Sequence, residues 1–294
     1  VAARCSLGMS VRTSETGMSA TVCGGYRWTP LSTWHSLPAQ RPPRGKRQRW
    51  LLTHNPEPRV RLHVVRCLPL RDLIVRALVT GADGFVGTHL VAWLLAEGDD
   101  VVENATDITE RNALIAAFTE AAPDVVYHLA AQADVGASWS TPVETLRVNV
   151  EGTLNVLDAA RLAGATRVAV VTSADIYGPV TEAELPLTEQ QPLRPVSPYA
   201  ASKAAADMLC VQAGLGHGFD VIRIRAFNHL GPGQSDKFVA SALARRVARA
   251  ERNREATVRV GNLEARRDFT DVRDVVRAYR ALMVDGCPGQ AYNV

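Results

Sequence analysis

At 294 residues the chain has room for one large α/β domain or two modest ones, and 47% hydrophobic with 21% charged residues is ordinary for a soluble globular protein. No apolar run approaches the ~20 residues of a membrane helix and no signal-peptide core follows the N-terminus, which argues against a membrane protein. Five cysteines without a CxxC pair and seven histidines without HxxxH spacing exclude a disulfide framework and a metal centre of usual pattern, so the expected setting is cytoplasmic and metal-free.

The net charge of +3 hides an asymmetry. Residues 1–73 carry 12 Lys and Arg against 3 Asp and Glu, and the rest is net −6, which lends no support to a nucleic-acid partner for the globular part. The first 73 residues show no sustained period of 2 or 3.6. Their centre, Arg41-Pro-Pro-Arg-Gly-Lys-Arg-Gln-Arg-Trp50, holds five cations and no acid. A nucleic-acid-binding arm or a targeting tail would use such a run. With one aromatic and no packed element in view, it reads as a basic, disordered extension.

From residue 74 the pattern is different. Ile74–Gly87, IVRALVTGADGFVG, is an apolar strand, a turn with glycines at Gly81, Gly84 and Gly87, and a helix start. Gly81 permits the turn, Gly84 lets backbone approach a pyrophosphate, and Gly87 lets helix pack on strand. A purely structural turn writes the same letters. Val86, Leu90 and Leu94 share one helical face, and Gly98 supplies a stop. Val101-Val102 reads as a short strand, Arg111–Ala121 as a helix closed by Pro123, and Asp124–Ala130 as a buried strand. Leu146, Val150, Leu154 and Leu157 mark a long helix ending at Gly164; Arg167–Thr172 is the next strand. A Pro-rich loop runs to Pro198, followed by helix Tyr199–Ala213 and strand Asp220–Phe227.

Strand and helix alternate, and the strands are continuously apolar, so the expected fold is α/β, a doubly wound parallel sheet of Rossmann type with its ligand at the strands' carboxyl ends. Beyond Phe227 come a Gly/Pro loop (His229–Gln234), an amphipathic helix Phe238–Glu251, a strand Thr257–Val260, a helix Val272–Val284 and a strand Ala291–Val294, inside which the sequence stops. The division expected is a dinucleotide-binding domain with the catalytic residues at 74–228 and a partial, apparently truncated substrate domain at 229–294.

Tyr199 and Lys203 lie four apart on one helix, so both side chains leave the same face. A nearby ammonium favours phenolate, and the expectation is a tyrosine pKa lowered towards neutral and fit for proton transfer. Ser173 follows strand RVAVVT; it polarises a carbonyl near Tyr199 or merely caps the strand end. Asp175 is a second acid or base, or an Asx-turn. His128 reads as a satisfied core histidine beside the cofactor cleft, while Asp107-Ile108 either flanks an adenine or belongs to a helix N-cap. Asn149 and Asn155 are most simply structural. Arg266, Arg267 and Asn228 suit a diphosphate, unless Arg267 pairs with Asp268.

Seven ordered blocks carry a resemblance: TGADGFVG at 80–87, DI at 107–108, YHLAAQADV at 127–135, TSADIYG at 172–178, SPYAASK at 197–203, RAFNHLGPGQ at 225–234 and VGNLEARRDFTDVRDVVRAY at 260–279. They resemble the extended short-chain dehydrogenase/reductases, the sugar-nucleotide epimerases and dehydratases, over residues 74–294. Within that superfamily they look closest to the enzymes that reduce the 4-keto group of GDP-4-dehydro-6-deoxy-D-mannose, with GDP-mannose 4,6-dehydratases as near relatives. The resemblance implies NADP or NAD held by Gly81, Gly84, Phe85, Val86, Gly87, Asp107, Ile108, Leu129, Ala130, Ala131, Tyr199 and Lys203. It implies that Tyr199 protonates the forming alkoxide, Ser173 hydrogen-bonds it, and Lys203 holds the ribose. Asn228 and Arg267 would contact the diphosphate of a GDP-linked sugar. Asp175 stands where a dehydratase carries its acid–base glutamate. A homodimer through the two long helices is implied as well. Two departures stand out: Val102–Asp107 is short where the family carries residues that recognise the adenosine ribose, and the family continues past the final YNV strand.

Overall fold

The computed structural model describes residues 74–261, 264 and 266–294, so the basic extension lies outside the described residues. Eight strands and eight α-helices follow one another: β1 Arg76–Thr80, α1 Phe85–Ala96, β2 Asp100–Asn104, α2 Arg111–Ala121, β3 Val125–His128, α3 Val135–Ser140, α4 Pro142–Leu146 and α5 Gly152–Leu162. Then come β4 Arg167–Val171, α6 Pro198–His217, β5 Asp220–Arg225, β6 Asn228–Leu230, α7 Val239–Asn253, β7 Phe269–Asp271, α8 Val272–Asp285 and β8 Ala291–Asn293.

The main sheet runs β2-β1-β3-β4-β5-β8, and every neighbouring pair is parallel. Its strands are apolar on both sides because both faces are covered. Val79, Tyr127, Ala169 and Ile222 pack against Leu90 and Leu94 of α1 and Val276 and Met283 of α8. Leu78, Val126 and Val168 face Phe118 of α2, Val156 and Leu157 of α5 and Cys210 of α6. Strand order reverses between β1 and β3, which opens a crevice at their carboxyl ends, where a doubly wound sheet binds its ligand. One strand, β2, lies outside β1, where the 3-2-1-4-5-6 order of the dinucleotide fold has two. The short Val102–Asp107 segment is the cause: no chain is left there for a further βα unit.

Several elements differ from the sequence pattern. The long helix is not one helix; α4 and α5 are joined by a π turn at Arg147–Glu151, which rotates the buried face. Leu146 and Leu154, expected inside, are exposed, while Asn149, Thr153 and Asn155 are buried. Thr257–Val260 alternates like a strand but forms none, having no ladder partner. Instead β6 and β7, three residues each, form a small parallel pair with Asn228 opposite Phe269. The segment 229–294 is therefore divided: β6, α7 and β7 leave the main sheet, whereas α8 packs under it and β8 extends it beside β5. No described helix is long and apolar enough to cross a membrane.

Candidate active site

The glycine turn is built for backbone contact. Gly81 has φ +69, and a Cβ there would lie 2.8 Å from the Ala130 nitrogen, so the loops after β1 and β3 touch. At Gly87 a Cβ would lie 2.1 Å from the Gly81 oxygen, closer than any side chain tolerates. Gly84 is the extended N-cap of α1 and provides no side-chain cap, so the first-turn N–H groups of Phe85, Val86 and Gly87 are available to an anion. Over this turn sits the loop after β6. His89 Nε2 is 2.9 Å from the Pro232 carbonyl, and a Cβ on Gly231 would come within 3.7 Å of the Phe85 ring.

A buried polar chain fixes the β3 side. Thr153 Oγ1 donates to the Asn149 carbonyl at 2.7 Å, so its oxygen accepts from His128 Nε2 at 3.1 Å. Nδ1 of His128 then accepts from Thr80 Oγ1 at 2.8 Å, and Thr80 Oγ1 accepts from the Ala130 N–H at 3.4 Å. Burial, with the Lys203 charge in second place, lowers the His128 pKa to about 3 and holds the ring neutral, as this chain of donors requires. His128 is thus the satisfied core histidine expected, and it orients Ala130 above Gly81. Leu129 bonds the Thr80 carbonyl, and Ala130 and Ala131 stay half-buried beside the cleft. Asp107 Oδ1 accepts from both the N–H and hydroxyl of Thr109, which holds the carboxyl below its usual range. The neighbouring Ile108 is packed so tightly that a Cβ on Gly152 would come within 2.5 Å of it.

Helix α6 starts at the Ser197 cap, whose Oγ accepts from the Ala200 N–H at 3.0 Å, with Pro198 in the first turn. Tyr199 and Lys203 are both buried on its sheet-facing side. Lys203 Nζ donates to the Val171 carbonyl at the end of β4, at 3.0 Å. Ser173 Oγ accepts from the Asp175 N–H at 3.1 Å and caps the 3-10 turn Ala174–Tyr177, the local role expected as one alternative. Its hydroxyl is also near enough to Tyr199 to favour the phenolate.

The expected electrostatics of Tyr199 are corrected. Burial dominates and pushes the phenol up to about 12, with the Ser173 bond opposing and Asp175 adding to the rise. The Lys203 ammonium is spent on a backbone carbonyl and is itself lowered by burial to about 8. At neutral pH Tyr199 therefore carries its proton and Lys203 most of its charge. Burial raises the Asp175 pKa, and the charge of Arg267, 92 positions on in the chain, opposes the rise. No Arg267–Asp268 ion pair forms; Arg267 Nη1 bonds the Arg266 carbonyl at 2.7 Å, while Arg266 pairs with exposed Glu182. Asn228 is exposed, its amide 3.2 Å from the Asp268 carbonyl.

Among the described residues three buried polar atoms lack a partner; one is Asp220 Oδ1 at the start of β5, and the other two lie in motif blocks of the sequence. The buried His229 Nδ1 and Gln132 Oε1 have no partner, while His229 Nε2 is fixed at 3.1 Å by the hydroxyl of fully buried Tyr279. Their signal was present in the blocks YHLAAQADV and RAFNHLGPGQ, but only folding shows that a polar atom is left without water. Asn149 also does more than expected: its side chain bonds Gln132 N–H and carbonyl and Ser202 Oγ, tying the loop after β3 to α6. The glycine cradle and the free helix N–H groups together fit the pyrophosphate of a dinucleotide. Among the described residues no group of three His, Cys, Asp or Glu is placed to hold a metal.

Comparison with known proteins agrees with this geometry. Residues 77–294 match the model of the NAD dependent epimerase/dehydratase family. GDP-6-deoxy-D-mannose reductase of Pseudomonas aeruginosa is 42% identical over 225 residues, 74% of each chain. A solved structure of RMD from Pseudomonas aeruginosa complexed with NADPH superposes with a TM-score of 0.70 at 41% identity, over 75% of this chain and 77% of that one. GDP-mannose 4,6-dehydratase of Vibrio cholerae is 31% identical, over 69% of this chain and 62% of its own length. With the parallel sheet, the glycine turn and the Ser173, Tyr199 and Lys203 cluster in place, the chain belongs to the NAD dependent epimerase/dehydratase family.

Proposed function

We propose that the protein is an NAD(P)-dependent sugar-nucleotide oxidoreductase that reduces the 4-keto group of GDP-4-dehydro-6-deoxy-D-mannose. The observation that carries this reading is the placement of Tyr199 and Lys203 on the buried face of α6 at the end of β4, beside the turn that Ser173 caps: a phenol there is an acid, as reduction of a carbonyl requires. The bound nicotinamide supplies the hydride. Tyr199 gives its proton to the oxygen that becomes the C4 hydroxyl, and Ser173 holds that oxygen in place. Lys203, anchored on Val171, presents its remaining N–H groups to the dinucleotide ribose. Phe85, Val86 and Gly87 take the pyrophosphate on their backbone. Asn228 and Arg267, at the mouth of the site, take the diphosphate of the sugar nucleotide. The test is loss of absorbance at 340 nm with the keto sugar and NADH or NADPH, present in the parent and absent in Tyr199→Phe.

One observation favours a dehydratase as second reading: burial raises Asp175 towards the protonated form an eliminating acid needs. That activity would act on GDP-mannose without net cofactor use, and Asp175→Asn would stop it.

Cofactor choice is expected to favour NADH. Strand β2 ends in Glu103-Asn104, in register with Val79 and Thr80, and Glu103 is exposed there; we infer that, in place of the residues the short segment lacks, its carboxylate meets the adenosine ribose. Glu103→Gln is expected to narrow the NADH preference several-fold by titration with both nucleotides; an unchanged ratio removes Glu103 from the choice.

We also infer a homodimer through α5 and α6, whose outward faces expose Leu154, Leu162, Met208 and Leu215. Light scattering is expected to report a dimer for the parent and a monomer for Leu215→Arg. A cytoplasmic setting fits Cys210 and Cys287, both free thiols.

A further inference from the structure

Asp207 lies on α6 eight residues after Tyr199 and four after Lys203, in the same buried stripe, and its side chain is fully inaccessible. A carboxylate there must be neutralised or the helix cannot pack. Two arginines of β5 reach it. Arg223 Nη1 donates to Oδ1 at 2.7 Å, and Arg225 places Nε 3.3 Å from Oδ2 and Nη2 3.0 Å from Oδ1, a two-pronged fork.

The remaining nitrogen of Arg225 points elsewhere. Nη1 donates to the Tyr177 hydroxyl at 2.9 Å and to the Glu189 carbonyl at 2.8 Å, and the guanidinium lies 5.3 Å from the Tyr177 ring centre. Tyr177 passes its own proton to Asn293 Oδ1 at 2.7 Å, so every polar atom of the cluster has a defined direction. Tyr177 ends the 3-10 turn that Ser173 caps and that contains Asp175. One guanidinium thus joins the helix bearing Tyr199 and Lys203 to the turn bearing Ser173 and Asp175.

We propose that Arg225 is a positioning residue, which through its fork on Asp207 and its bond to Tyr177 sets the placement of Ser173 relative to Tyr199. The fork resists both rotation and sliding of α6, since either would break one prong. A buried ion pair adds little net stability over apolar packing, but its geometry is specific. The inference rests on the reductase reading for its kinetic readout, and a second readout frees it from that reading.

The molecule supplies its own control. Arg167 and Asp220 form another largely buried Arg–Asp pair, at 2.7 Å, with Arg167 Nη1 bonding the Met283 carbonyl, but at the amino ends of β4 and β5, away from the site. The experiment compares Tyr177→Phe, Arg225→Lys and Arg167→Lys for kcat, dinucleotide affinity and melting temperature. It also records the 19F resonance of 3-fluorotyrosine at position 199. Tyr177→Phe, which deletes one oxygen and keeps the ring, is expected to lower kcat about tenfold or more at unchanged dinucleotide affinity and to move the 199 resonance. Arg225→Lys is expected to do the same more strongly, whereas Arg167→Lys lowers only the melting temperature. Parental kcat and 199 resonance in Tyr177→Phe, or an equal disturbance of both in Arg167→Lys, would overturn the proposal. A parent inactive on the keto sugar, with a 199 resonance that still responds to Tyr177→Phe alone, would strike the reductase reading and uphold the positioning role.

Discussion

Tyr199→Phe is expected to lower kcat for 4-keto reduction by about 10²–10⁴-fold, the range a positioned general acid contributes, while dinucleotide affinity stays at the parental value. The ring remains, so the packing of α6 against the sheet is kept; what disappears is one proton donor and the acceptor of the Ser173 hydroxyl. A loss of binding comparable to the loss of rate would mean that Tyr199 serves packing instead. The pH dependence separates it from Lys203. Because kcat/KM reports the free enzyme, the rate is expected to fall as pH rises through about 8, where Lys203 gives up its charge. Tyr199, pushed up to about 12, keeps its proton throughout that range. A pH–rate profile flat to pH 10 would contradict this assignment.

The second large effect belongs to the glycine turn. Gly87→Ala puts a methyl group 2.1 Å from the Gly81 carbonyl oxygen and 2.7 Å from that of Ala82, both backbone atoms that no rotamer can move. Either α1 slides away from β1 or the turn opens, and both displace the N–H groups of Phe85 and Val86. Overpacking of this kind costs about 1–3 kcal/mol. Here it is expected to appear as a loss of dinucleotide affinity of about tenfold or more and a lower melting temperature. Gly261→Ala, where a Cβ meets nothing within 4 Å, is the matched control and is expected to change neither. Calorimetric titration with NADH and NADPH reads the difference. Parental affinity in Gly87→Ala would show that the turn does not carry the cofactor.

What the sequence by itself determined is local in origin. Apolar runs wrote β1, β3, β4 and β5, and 3.6-residue periodicity wrote α1, α2, α6 and α8, with Arg111–Ala121 correct to the residue. Three glycines at fixed spacing located the tight turn between β1 and α1, and the i,i+4 spacing put Tyr199 and Lys203 on one face. The shortness of Val102–Asp107 was legible as well, but its consequence for the sheet, a single strand outside β1, appears only in the fold.

The tertiary structure decided everything that depends on partners distant along the chain. Strands β6 and β7 are three residues each and pair across about forty positions, so neither carries a pattern of its own, whereas Thr257–Val260 carries the pattern and finds no partner. The π turn at Arg147–Glu151, around which Leu146 and Leu154 are exposed and Asn149, Thr153 and Asn155 buried, is not contained in the apolar periodicity. Spacing suggested that an ammonium would lower the Tyr199 pKa; burial reverses the sign, because desolvation of the phenolate is the largest effect and the Asp175 charge adds to it. The Arg225 fork that joins two halves of the site likewise arises only when β5, α6 and the loop after β4 are brought together. Periodicity and glycine spacing are properties of a few neighbouring residues, but burial and charge contact are properties of the folded surface around them.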